Sequence, residues 1–397
     1  MRRLLAILCL LAAPALAAER PTLTIGYLGL KKDPRWQPLE TYANLVLRGA
    51  VNGADGAAVA MRDARIIGRA LGVKFAFEVR RARDLEALTA AFEELRDGSG
   101  ARFFLVDLPA PMLADFAART RGQDVLLFNV SAAEDELRGA QCQPHLLHVI
   151  PSHRMYMDAI AQFLADKGWR NVLLLTGPTP EDAKLSEVFK ISNRRFGGRV
   201  VEERGFVPTN DPRAREKNNI RLLTTGIDYD VIVVTDHRGE FSRYVPYNSV
   251  LPRPVIGMPL LPPTVGLVPA AWHWASERFG SPQLNQRFER QVKHRRKMHD
   301  VEWASWAAVR SLLEAMMRAK STEFEAVKQA LLSPEARLDV YKGVPANFRS
   351  WNGQMRQPIL LATHNAVVTY APLPKFLHAR NQLDTLGVDE PNTDCSF

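Results

Sequence analysis

Cysteine is scarce here: three residues in 397, too few for a disulfide framework. Long apolar runs are also missing. Beyond the first twenty residues nothing approaches the roughly 20 consecutive apolar residues that span a bilayer, so no membrane span is expected there. The chain has no G-x-S-x-G, no P-loop, no G-x-G-x-x-G after its first strand-like run and no H-E-x-x-H. Those absences remove the most recognisable hydrolase, nucleotide and zinc-peptidase chemistries, and no nucleophile paired with a base is legible elsewhere. Repeats of fixed period and low-complexity tracts are absent, which argues against a solenoid or a disordered tail.

What is present has the composition of a large globular protein, 46% hydrophobic and 24% charged. At roughly 150 residues per domain the length suggests two or three domains. Lys and Arg number 52 against 43 Asp and Glu, a formal charge of +9 that invites a nucleic-acid reading. The basic residues, however, are interspersed with acids. The one dense run, Lys293-His-Arg-Arg-Lys-Met-His299, lacks the interleaved aromatics of a strand-binding groove, so no nucleic-acid partner is expected. On a helix, His294 and His299 would lie on different faces amid cations that repel a metal. No metal site is expected, and the run reads as a solvated helix surface.

The first segment has the layout of an export signal. Arg2 and Arg3 precede the apolar run Leu4 to Leu11, which ends in Ala15-Leu16-Ala17, small residues flanking a bulky one. Acylation at Cys9 is excluded because Leu8 stands where lipoprotein processing needs a small residue. Removing residues 1–17, Arg2 and Arg3 among them, from the 397 leaves 380 residues and lowers the charge from +9 to +7. Two cysteines remain, Cys142 and Cys395. In an oxidising compartment they form either one disulfide tying the C-terminal tail to the region near Pro144, or two independent thiols.

Apolar runs of four to seven residues then alternate with helical periodicity. Strands are expected at 23–28, 73–79, 103–107, 124–129, 171–176, 199–206 and 230–236. Helices are expected at 39–71, 85–95, 155–168, 181–196, 282–296, 301–319 and 322–332. The long first helix carries a cluster of small residues (Gly49, Ala50, Gly53, Ala54, Ala57, Ala58) that lets a neighbour approach closely. Seven prolines between Pro246 and Pro269 predict loops and short strands, and Trp351-Asn-Gly-Gln354 predicts a hairpin turn. The fold class is α/β, with two doubly wound parallel sheets.

Polar residues recur just after strand ends, where open α/β sheets hold ligands. They are Lys31, Arg35 and Trp36; Asp107 and Pro109; Asn129 and Ser131; Thr176; Asp236 and His237. Each by itself also suits a turn or cap. Trp272, Trp274, Trp303 and Trp306 suit either a cleft wall or a core.

Several phrases in this order resemble the type I periplasmic solute-binding proteins of ABC importers, the group of the leucine/isoleucine/valine-binding proteins. They are Leu23-Thr-Ile-Gly-Tyr27, the small-residue helix from Gly49 to Ala70, Ala132-Ala-Glu-Asp-Glu-Leu-Arg-Gly139, His148-Val-Ile-Pro-Ser152 and Lys167-Gly-Trp-Arg-Asn-Val-Leu-Leu-Leu175. Tyr341-Lys-Gly-Val-Pro345 and Trp351-Asn-Gly-Gln-Met-Arg-Gln-Pro358 are similar to that family's closing hairpin. The tail, with Phe376-Leu-His378, Asn381 to Gly387 and Asp389-Glu-Pro391, resembles a subgroup associated with pyrroloquinoline quinone (PQQ)-dependent alcohol oxidation.

The resemblance implies a type I periplasmic-binding-protein fold, two lobes joined by three crossings. Residues 18–148 with 273–335 would form one lobe, 149–272 with 336–375 the other, and 376–397 a tail. It implies a periplasmic binding protein without catalysis or a resident cofactor, whose partners are a small solute and an ABC permease in the inner membrane. A sensor or cofactor carrier serving a periplasmic dehydrogenase is the alternative, and a secreted enzyme on this fold a further one. Carried over from the family, the ligand residues would be Arg35, Trp36, Pro109, Ala110, Asn129, Ser131 and Ala132, facing Arg154, Tyr156, Thr176 and Asp236. One departure matters. Where amino-acid binders place a Ser-rich pair for the α-carboxylate, this chain has Asp107-Leu-Pro-Ala-Pro111, which counts against amino-acid specificity and leaves the solute open, with Arg35, His153 and Arg154 as cations for an acidic one.

Overall fold

A computed structural model describes residues 20–40, 46–209, 211–258 and 266–396. The expected signal 1–17, with Cys9, lies outside the described residues. Five strands form a first parallel sheet: β1 (Thr22–Leu30), β2 (Lys74–Ala82), β3 (Phe103–Asp107), β4 (Leu126–Asn129) and β5 (Leu146–His148), in the order β2-β1-β3-β4-β5. Every residue of β3 and β4 is buried, as continuous apolar strands require when helices cover both faces. The covering helices are α1 (Gly53–Leu71), α2 (Leu85–Glu93) and α3 (Ala110–Arg119).

The second parallel sheet has the order β9-β8-β6-β7, built from β6 (Asn171–Thr176), β7 (Arg199–Gly205), β8 (Val231–Thr235) and β9 (Val255–Ile256). Helices α4 (His153–Lys167) and α5 (Pro180–Arg195) pack together beside it. Ser152 caps α4, which starts two residues earlier than the 155 expected, and Gly168 ends it in the left-handed conformation. An antiparallel sheet β10-β11-β12 (Val268–Ala270, Ile359–Ala362, Val367–Ala371) extends it through a bridge between Ile256 and Leu267.

Three further helices join α1: α6 (Ser281–Gln291) and α7 (Asp300–Ala319) pack on it, and α8 (Phe324–Leu332) packs on α7. Gly53 and Gly56 of α1 lie against Ser305 and Glu302 of α7. A Cβ on Gly56 would run into the backbone carbonyl of Glu302, so glycine is required for this close approach. The helix expected from 39 begins only at Gly53; Leu39–Glu40 instead pairs with Val46–Arg48 as a short hairpin, and residues 41–45 are outside the described residues. The basic run is not a helix surface either. Chain direction changes at His294 and Arg295, both at positive φ, and His299 caps α7. Pro246 sits at the start of a single helical turn, Val245–Asn248, where a missing N–H is harmless.

The chain passes between the two sheets along 149–152, along 271–280 and again between α8 and β11, and buried polar contacts lock these passages together. Asp300 accepts the backbone N–H groups of Ala271 and Trp272, at 2.9 and 3.0 Å, and the Tyr156 hydroxyl. Lys342 donates to Gln357 and to the Pro358 carbonyl, and Gln357 donates to the Val149 carbonyl. The tail forms a further link. Gly387 donates to Asp158 of α4 at 2.8 Å, Arg349 and Arg356 clasp Asp384, and Cys395 is disulfide-bonded to Cys142 between β4 and β5.

Candidate functional site

At the carboxyl edge of the first sheet the parallel register places Gly29 beside Asp107. Asp107 accepts from the Tyr27 hydroxyl (2.8 Å), the Trp36 indole (2.9 Å) and Arg35 (3.1 Å). Arg35 also pairs with Asp33 at 2.6 Å and donates to the Leu108 carbonyl and the Ser131 hydroxyl. Burial and the neighbouring Asp107 raise the Tyr27 pKa well above its ordinary value. Burial opposes the Arg35 charge, but Asp107 and Asp33 more than compensate and hold its pKa above the ordinary value. The structure thus brings Arg35, Trp36 and Ser131 together, and two carboxylates already neutralise the guanidinium.

The remaining first-lobe residues shape the loops around this cluster. Pro109 is the N-cap of α3 and Ala110 its first residue. The Asn129 side chain receives the N–H groups of Ser131 and Ala132 and contacts His148, a turn-capping arrangement that leaves it fully buried. Tyr156 is likewise buried, at the passages between lobes rather than facing a crevice. His153 is half-buried, and burial lowers its pKa, so it is a weaker cation than its type suggests. Arg154 pairs with the buried Asp158, as does Arg195, and both arginines line a small pocket of about 340 Å³ against the tail residues Gly387 to Asn392.

On the second sheet, Thr176 bonds to Ser186 and Glu203, and Asp236 accepts the N–H groups of Phe241 and Ser242, closing the loop after β8. His237 rests on Asp182, whose hydrogen bond raises the imidazole pKa. An open cleft of about 990 Å³ lies at this edge, between the loops that follow β7 and β8. Its walls include Arg215, Asn219, Arg221, Glu240, Phe241 and Tyr244, none of which the sequence reading singled out. Their signal was position after a strand end, obscured because the loop after β7 is long and reads as a solvated charge run. The carboxyl edges of the two sheets meet at one corner, where Lys184 of α5 pairs with Glu136 of the loop after β4 at 2.8 Å.

The tryptophans divide. Trp272, Trp303 and Trp306 are core residues, the first two stacked at 6.0 Å, and Trp274 alone of the four is exposed. Among the described residues no group of three or more His, Cys, Asp or Glu is arranged to hold a metal ion.

No protein-family model matches the chain, and no curated protein sequence matches it. Solved structures do. A branched-chain amino acid ABC transporter periplasmic ligand-binding protein from Burkholderia xenovorans superposes with a TM-score of 0.71 at 14% identity, covering 94% of this chain and 99% of its own. An ABC transporter substrate-binding protein from Desulfitobacterium hafniense, in complex with Leu, gives 0.65 at 15% identity, over 88% and 99%. A solute-binding protein of an ABC transporter from Rhodopseudomonas palustris, in complex with 3,4-dihydroxybenzoic acid, gives 0.59 at 12% identity, over 86% and 93%. At these identities the likeness concerns architecture. The chain has the two-lobed α/β fold of the type I periplasmic solute-binding proteins.

Proposed function

We propose that this protein captures a small solute between its lobes outside the cytoplasm and delivers it to an ABC permease of the inner membrane, without chemistry of its own. The observation that carries this reading is the pair of parallel sheets whose carboxyl edges meet at Glu136 and Lys184, with an open cleft of about 990 Å³ at that edge. The transport roles and bound ligands of the neighbouring folds support it. In this mechanism the solute completes its contacts only when the lobes close, so binding shifts the population toward the form a permease recognises. The lobes are read as 18–148 with 273–335 and 149–272 with 336–375, after removal of residues 1–17. The tail phrases from Phe376 to Pro391 support a link to PQQ-dependent alcohol oxidation, in transport or as a carrier for a periplasmic dehydrogenase.

Native mass spectrometry of the protein purified from its own periplasm tests the reading, followed by tryptophan-fluorescence titration with the released ligand and with PQQ. A retained small molecule that quenches or shifts the emission is the expected result. No retained molecule and no fluorescence or melting response to acidic, alcoholic or amino-acid solutes overturns it. A response to PQQ with very slow release would favour the carrier role over transport.

A further inference from the structure

Positive charge dominates the second-sheet rim of the crevice. On the first-sheet side Lys31 and Lys32 follow β1, exposed and without a side-chain partner among the described residues, whereas Arg35 is neutralised in place. On the second-sheet side Arg213, Arg215, Lys217, Arg221 and Arg238 stand exposed in the loops after β7 and β8, and no carboxylate pairs with any of them among the described residues. The unpaired carboxylates in the same loops are Asp211, Glu216 and Glu240. In these loops five unpaired cations therefore outnumber three unpaired carboxylates, whereas on the first-sheet side Glu134 and Asp135 of the loop after β4, which form no ion pair among the described residues, offset Lys31 and Lys32. An excess of like charge along one cleft wall attracts an anionic ligand.

The cleft wall adds shape to charge. Phe241 is buried and stacked on Phe206 at 3.9 Å, which fixes an apolar surface beside the exposed ring of Tyr244. Guanidinium groups in fork geometry suit a carboxylate, and an unpaired carboxylate such as Glu240 can only accept, so it suits a ligand hydroxyl. Resting on the solute-binding reading, we propose that this cleft takes a small hydroxylated organic acid, its carboxylate on Arg215 and Arg221, its hydroxyl on Glu240, and its apolar body against Phe241 and Tyr244.

Isothermal titration of the full mature chain with 4-hydroxybenzoate and lactate tests this, with 4-hydroxybenzyl alcohol and leucine as neutral and zwitterionic comparators. The acids are expected to bind more tightly than the comparators. Arg215→Ala with Arg221→Ala should weaken them at least about tenfold, and affinity should fall as salt rises. Both arginines are exposed, so the variant should keep its circular dichroism and melting temperature. Comparators bound as tightly as the acids, or unchanged affinity in the double variant, overturn the anion assignment and leave solute binding standing. Absence of binding by both acids also overturns it, while retention of a native small molecule decides the solute-binding reading separately.

Discussion

Asp107 joins three segments through one carboxylate: the interior of β1 through Tyr27, the loop after it through Arg35 and Trp36, and its own strand end. Asp107→Ala would leave a buried hydroxyl and indole without their acceptor and Arg35 with one carboxylate fewer. A loss of about 3 kcal/mol in urea unfolding is expected, and a change below about 1 kcal/mol would show that the cluster is not structural. The sequence marked Asp107, Arg35 and Trp36 by their places after strand ends. It did not show that they consume one another, because that depends on the register of β1 against β3. His145 illustrates the same limit. Burial, followed by Arg121 and Lys328, lowers its pKa to about 4. The unfolded chain takes up this proton near the ordinary value of about 6.5, and the folded chain only near 4. Stability should therefore fall as pH drops from 6.5 toward 4, by about 3 kcal/mol from this group once both forms are protonated. His145→Gln should show a smaller drop in urea midpoint between pH 7 and 4.5 than the parent, and an equal drop would exclude the residue.

At the scale of elements, the contact of α1 with α7 was foreshadowed by the small residues Gly53, Ala54 and Ala57, all buried, whereas Ala58 is exposed and the start of α1 was misplaced. Apolar residues from Leu39 onward match helical spacing, but Asn52 and Gly53 begin the helix and the preceding residues pair as a hairpin. Spacing alone cannot separate the two over so short a stretch. Gly56 is the sharpest test of the contact. Gly56→Ala would favour the helix intrinsically by up to about 1 kcal/mol, yet its methyl meets the Glu302 backbone, so a net loss of about 2 kcal/mol is expected. A stabilised variant would show that α7 can retreat. The same helix pair carries Glu302, whose pKa burial raises to about 7 in spite of Arg296, so α7 begins in a site where a charged carboxylate is poorly solvated.

For the whole molecule, the α/β class, the parallel sheets and most helices followed from alternating apolar runs, since buried parallel strands and helices leave periodic traces. The route of the tail left no such trace. Its short turns around Asp384 and Gly387 are held by Arg349, Arg356, Asp158 and Arg195, contacts between residues far apart in the chain. Since the tail is anchored on α4 and α5 and is bonded to Cys142 in the first lobe, it spans the two lobes as a covalent strap. Cys142→Ser with Cys395→Ser should lower unfolding stability by about 2–5 kcal/mol. It should also enlarge the radius of gyration of the solute-free protein in small-angle scattering; identical profiles would show that the strap does not limit opening. The paired residues are 253 apart, and after residue 17 the chain offers no third cysteine. Once residues 1–17 are removed, as we propose, oxidation within one molecule has a single possible product, so the mature chain in an oxidising compartment has no mispaired isomer to be reshuffled. The only wrong partner for Cys142 is a thiol on another molecule, and dilution rather than an isomerase is what favours correct maturation.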